Sequence, residues 1–227
     1  KRGGVMGQRF QAYIKVPAVV YNDVDGKPNV NNKPSQTYGI HHQWCYGFRA
    51  LRLSANVLRF WEAEAQMENV IKDNSFSKLT GRLTDTPDKA LAKIFGYDPE
   101  FGYMAMTHDL GEFKNPYLGD NNDGIFVVDL ENWSNPKYCF YTLYGTDSGL
   151  EAHQIVTPVD YAISYHAGEA KVDTEFQSLI GEEMKVFDRF PEMTYAELHA
   201  CFEEFPDEFM NEKPKPDLQL VTNEFRL

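Results

Sequence analysis

Tyr38–Phe60, YGIHHQWCYGFRALRLSANVLRF, joins an extended segment to a long helix, and the rest of the fold is read outward from that junction. If Gln36 to Cys45 is a strand, His41, Gln43 and Cys45 point to one face and Ile40, His42 and Trp44 to the other. Adjacent histidines then diverge and do not share one metal. At roughly 3.3 Å per residue, His41 and Cys45 stand about 13 Å apart, which excludes a local Cys-His dyad. After Gly47 the period becomes helical. Arg49, Arg52, Asn56, Arg59, Glu62 and Gln66 form one narrow polar stripe, while Leu51, Leu53, Ala55, Val57, Leu58, Phe60 and Trp61 cover most of the remaining surface. A helix apolar over so much of its circumference is largely buried, which makes it the central helix, lying on the sheet of the first two strands.

Upstream, Arg9 to Val16 alternates, with Phe10, Ala12, Ile14 and Val16 on one face and Arg9, Gln11, Tyr13 and Lys15 on the other, a half-buried strand. Asn22 to Ser35, rich in Asn, Asp, Gly and Pro, reads as a long hairpin loop back into the second strand. Downstream, Thr86 as N-cap, Pro87 at the first helical position and Gly96 past the end delimit a short helix. Tyr97 to Gly119 is irregular and aromatic. Ile125–Leu130 and Tyr138–Tyr144 form a hairpin around Glu131–Lys137. Thr157 and Thr194 each precede a carboxylate by three residues, Asp160 and Glu197, the spacing of a helix start. Phe176, Leu179, Ile180, Met184 and Phe187 mark an amphipathic helix between them.

The fold expected is therefore α+β: a mostly antiparallel sheet of at least four strands on a long buried central helix, with further helices in the C-terminal part. Residues 6–213 form one domain. Lys1–Val5 reads as an N-terminal remnant ahead of a start at Met6, and 214–227 as an extended tail punctuated by Pro214 and Pro216. Gln11 stands where a myristoylation signal needs Ser or Thr.

Aromatic residues at 14% and charged residues at 25% of 227 describe an ordered globular chain that can bury a real core. No run reaches the roughly 18 apolar residues of a membrane span, so no membrane contact is expected. Cys45, Cys139 and Cys201 are odd in number, widely spaced and free of any CxxC pattern, which points to a reducing compartment rather than to disulfides or a zinc ribbon. On that reading the Asn132-Trp133-Ser134 sequon is a chance match. The formal charge is −12, and Asp160–Lys213 holds 14 acidic residues against four Lys and Arg. That field disfavours direct binding of nucleic acid and favours basic partners, although solvated helix faces produce the same pattern.

Cys45 is the candidate catalytic residue, because it precedes a long helix whose free amides and dipole stabilise a thiolate. Its base would come from His108, His153, His166 or His199; the alternative is a small buried hydrophobe. Arg49, Arg52 and Arg59 are candidates for binding a phosphate or carboxylate, with an Arg59–Glu62 pair as the structural alternative. In GDNNDG, Gly119–Gly124, an EF-hand register puts Gly119 and Leu130 where carboxylates are required, so a turn entering a strand explains it better. Asp120 and Asp123 keep only a weak cation-binding option. YGTDSGLEAHQ brings Asp147, Ser148 and His153 into one loop without a nucleophile elbow. No phosphate-loop, dinucleotide or zinc-protease motif occurs, so no metal site and no cofactor is expected.

MGQRFQAYIKV (Met6–Val16) followed by HHQWCYG (His41–Gly47) and a helix resembles uncharacterised, often phage-encoded proteins that open with MGQR and carry H-[HN]-Q-W-x-Y-G. The resemblance covers about the first 60 residues. It implies a packed strand–turn–helix unit, and it carries no assigned activity and hence no functional residue. The expectation is a phage-type, non-enzymatic protein of the host cytoplasm or the virion. It acts by protein–protein interaction, as a virion or accessory component or an inhibitor of a host factor, on a protein partner that is basic. The alternatives are a cysteine-dependent hydrolase or transferase using Cys45, and an acidic mimic of nucleic acid that binds a basic protein.

Overall fold

The computed structural model describes residues 9–16, 21–22, 28–29, 36–43, 45–66, 105–107, 115–118, 123–131, 135–146, 149–165 and 174–206. In chain order the elements are β1 (Arg9–Val16), β2 (Tyr21–Asn22), β3 (Pro28–Asn29), β4 (Gln36–Gln43), α1 (Gly47–Gln66), β5 (Ala105–Thr107), β6 (Ile125–Asp129), β7 (Lys137–Thr142), β8 (Gln154–Val156), α2 (Pro158–Ser164), α3 (Thr174–Phe187) and α4 (Tyr195–His199). The short helix expected from Thr86 to Gly96, the N-terminal remnant and the tail lie outside the described residues.

Six strands form one sheet in the order β5–β4–β1–β6–β7–β8, and β2 pairs with β3 in the loop between β1 and β4. The sheet is mixed, which corrects the expectation of a mostly antiparallel one. β4 runs antiparallel to β1 and β5, and β7 antiparallel to β6 and β8, but the central pair, β1 and β6, is parallel, with Gln11 opposite Ile125 and Lys15 opposite Asp129. Hydrophobic alternation is the same for either direction of a neighbour, so only the crossover from β5 to the far side of β1 decides it.

β1 is not half-buried. On one face Phe10, Ala12 and Ile14 join Phe126, Val128 and Phe140, Leu51, Ala55 and Leu58 of α1, Tyr161 of α2 and Phe187 of α3. On the other, Tyr13, Ile125, Val127, Cys139 and Tyr141 pack under Met193, Leu198, Cys201, Phe202 and Phe205, from α4 and its flanks. Gln11, 1% exposed, is therefore interior, and its side-chain oxygen accepts from the Tyr13 hydroxyl. The chain rounds the sheet between the two covers at Pro191–Met193. There Tyr138 donates to the Pro191 carbonyl at 3.2 Å and accepts from Met193 N–H at 2.7 Å, which occupies the edge of β7 that β8 leaves open.

Local signals set the helix boundaries. Thr157 accepts from the Asp160 amide at 3.1 Å, and Thr194 with Glu197 forms a complete reciprocal cap. Gly47, with φ of 53°, makes the reversal into α1 in the left-handed region open to glycine. Tilted rings pack through the first core, with Phe126–Phe140 centroids at 5.1 Å and Phe140–Tyr161 at 4.7 Å. Each such aromatic side chain contributes about 2–3 kcal/mol by burial, with about 1 kcal/mol more per ring pair. Among the described residues no helix is long and apolar enough to cross a membrane.

Candidate functional site

Cys45 lies at the β4–α1 junction, 2% exposed, in the core beneath α1. Burial pushes its thiol well above the ordinary range; Arg49 pulls the other way, and the Asp123 charge adds to the rise. Loss of water therefore outweighs the helix start that favours thiolate, and Cys45 is held as the neutral thiol. Of its four possible histidine partners, His153 lies tilted against Tyr117 and His199 meets Phe205 edge-on, on the opposite face of the sheet from Cys45. His108 and His166 lie outside the described residues, as do the His41 and His42 side chains. In backbone register His42 stands opposite Phe10 and His41 opposite Gln11, positions that belong to opposite faces.

The α1 arginines turn toward α3. Arg59 Nη2 is 2.6 Å from Glu183 Oε2 and Arg52 Nε is 3.8 Å from Glu183 Oε1, while Arg59 also donates to Asn56 at 3.0 Å. The Arg59–Glu62 pair does not form. Glu62 instead receives a two-point fork from Arg189, with both nitrogen–oxygen distances at 2.6 Å. Arg49, half-buried in the first turn, belongs to the cap through its amide, which donates to the Tyr46 carbonyl at 3.2 Å. The stripe that sequence offers as an anion site is thus, at Arg52 and Arg59, matched to a buried carboxylate of the same chain.

A polar cluster surrounds Asp123, two residues before β6, a position that the sequence offers as a turn residue with a weak cation-binding option. The residue is 7% exposed. Its carboxylate accepts the Arg9 amide, its own amide donates to the Arg9 carbonyl at 3.0 Å, and its carbonyl accepts the Tyr161 hydroxyl at 2.6 Å. Burial pushes the carboxyl up to about 7, against the opposing pull of the Arg9 amide and guanidinium. The Tyr165 hydroxyl, also buried, has no hydrogen-bond partner among the described residues. Gly124, with φ of 77°, sets the spacing, since a Cβ there would meet the Tyr141 carbonyl at 3.0 Å and the Tyr165 hydroxyl at 3.3 Å. The available signal was an Asp-Gly turn feeding an unbroken apolar strand, IFVV, whose two-sided burial draws the preceding residue inward.

Across the sheet, the Tyr117 hydroxyl meets His153 Nδ1 at 2.7 Å and the Tyr141 hydroxyl at 2.9 Å. His153 has φ of 61°, uncommon outside glycine, and its amide donates to the Thr142 carbonyl at 2.7 Å, so β8 starts at this turn. Burial raises the Tyr141 phenol far above its usual value. Asp147 and Ser148 lie outside the described residues, as does Asp120. Among the described residues no three His, Cys, Asp or Glu side chains form a group that could hold a metal ion. No family model matches the chain, and neither a curated protein nor a solved structure does so.

Proposed function

We propose that the protein acts by binding a second, basic protein through the acidic surface of its C-terminal quarter, as a phage-type virion or accessory component or an inhibitor of a host factor. The observation that carries this reading is the charge balance of residues 174–206, which hold eight carboxylates and two cations of their own, Lys185 and Arg189; of the eight, Glu183 is turned to Arg59 and Arg52 and Glu197 to Lys137. Both cations are engaged, Lys185 with Glu182 at 2.5 Å and Arg189 with Glu62 at 2.6 Å. Asp188, Glu203 and Glu204 are exposed. Such a field speeds encounter with basic surfaces and repels nucleic acid and anionic membranes. The neutral, buried Cys45 thiol and the engagement of Arg52 and Arg59 by Glu183 favour this reading over a cysteine-dependent hydrolase or transferase.

The test is crosslinking of the full chain in host lysate, followed by titration of the captured protein against purified chain. A basic partner is expected, with affinity falling at least about tenfold between about 50 and 500 mM salt and again in Glu203→Lys/Glu204→Lys. Capture of acidic or neutral proteins alone, or affinity indifferent to salt and charge reversal, refutes the proposal. If the partner is itself a DNA-binding protein and DNA competes for it, the acidic surface acts as a nucleic-acid mimic.

A further inference from the structure

Three segments, β1, the turn ahead of α1 and the end of α2, come together around Asp123, and the hydrogen bonds of that residue are unevenly distributed. Its backbone is fully used, closing the β1–β6 ladder on Arg9 and anchoring α2 through Tyr161. Its carboxyl group, by contrast, receives a single amide among the described residues. The groups facing it are the Arg9 backbone and guanidinium from β1, the neutral Cys45 thiol ahead of α1, with Arg49 acting on that thiol, and the Tyr161 and Tyr165 phenols from α2. The rings of Tyr161 and Tyr165 lie 4.8 Å apart, and Tyr165 brings to the same corner a buried hydroxyl that has no acceptor among the described residues.

A neutral carboxyl suits this buried corner, whereas a carboxylate needs donors that one amide does not supply. We propose that Asp123 is a proton-operated latch on α2: protonated, it lets the Tyr161–Tyr165 face of the helix close over the β1–β6 end, and ionised, it draws on the Tyr165 hydroxyl or on water and loosens that face. The sign follows from linkage. A carboxyl whose folded value is raised from 3.8 to about 7 stabilises the closed form at low pH, and that stabilisation is lost as pH rises toward the folded value. Opening of α2 that exposes Asp123 should therefore be about 30-fold more frequent at pH 8 than at pH 5.5.

Amide exchange in the full chain, normalised to intrinsic rates, tests this. Protection of residues 158–165 should fall about 10- to 30-fold from pH 5.5 to pH 8, and by less than about twofold in Asp123→Asn. Equal losses in both proteins, or none in either, overturn the latch. Should Asp123→Asn not fold, carboxyl-carbon NMR of the unaltered chain decides: a midpoint near 7 supports the proposal and one below about 5 overturns it. In Tyr165→Phe, which removes the donor open to the charged form, the midpoint should move upward; an unchanged or lowered midpoint removes Tyr165 from the device.

Discussion

Glu183 and Arg59 are bound to each other, yet removing one should cost far more than removing the other. The Glu183 side chain is 8% exposed, whereas those of Arg59 and Arg52 are 39% and 63% exposed. Glu183→Gln leaves two guanidiniums that can turn into water, and Arg59 keeps Asn56 at 3.0 Å. With the arginines this exposed the pair is screened, and the loss is about 1–2 kcal/mol. Arg59→Ala instead leaves a carboxylate inside the α1–α3 seam with only the distant Arg52 beside it, a loss of about 3–4 kcal/mol, toward the range for breaking a buried pair. Replacing both, Glu183→Leu with Arg59→Met, removes the buried charge together with its partner and should return stability to within about 1 kcal/mol of the parent. Urea unfolding followed by far-ultraviolet circular dichroism measures this. For a chain of this size a 3 kcal/mol loss moves the midpoint by about 1 M. Equal losses in the two single variants, the reverse order, or a double variant worse than Arg59→Ala would refute the assignment of Glu183 as the buried member of the pair.

Four further outcomes follow from the geometry. Gly124→Ala should lower stability by about 2–4 kcal/mol in thermal unfolding, since positive φ and contact with the Tyr141 carbonyl act together. Gly149→Ala, also at positive φ but with nothing within 4 Å of its Cβ, should cost only about 1 kcal/mol. Cys45, Cys139 and Cys201 are all buried, so a chromogenic disulfide reagent at neutral pH should label none of them until denaturant is added; rapid labelling of Cys45 in the folded chain would contradict its placement. The Glu197 carboxyl is held below the usual range, first by Lys137 and then by the Thr194 amide. Its contribution is thus present above the unfolded value of about 4.3 and lost as pH falls through the lower folded value. Glu197→Gln should flatten the acid limb of the urea midpoint between about pH 5 and 3, and an unaltered limb would show that the cap is thermodynamically silent.

The candidate residues were legible in kind but not in role. Cys45 was found from its place before α1, and its burial was weighed as the alternative; the depth of that burial comes from Phe10, Leu51 and Tyr161, residues far apart in sequence. Arg52 and Arg59, seven residues apart on one helix face, were visible as a cationic stripe. Their partner Glu183 lies on α3, between Ile180 and Phe187 on the apolar side, where a carboxylate is the signal that a cation must face it. Asp123 was read as a turn residue, which its backbone is, and its buried carboxyl depends on α2 arriving from above.

Sequence by itself determined whatever is written within about ten consecutive residues. The strand periods of β1 and β4, the wide apolar arc of α1, the β6–β7 hairpin and the caps at Thr157 and Thr194 all depend on neighbours along the chain. Only the tertiary structure decided that β6 lies parallel to β1, that both faces of β1 are covered, that three-residue β5 and β8 extend the sheet, and which buried charge meets which partner. The physical reason is range. Backbone preference and alternation are local, whereas strand direction, desolvation and the pairing of buried charges are set by whichever segment closes over a residue from elsewhere in the chain.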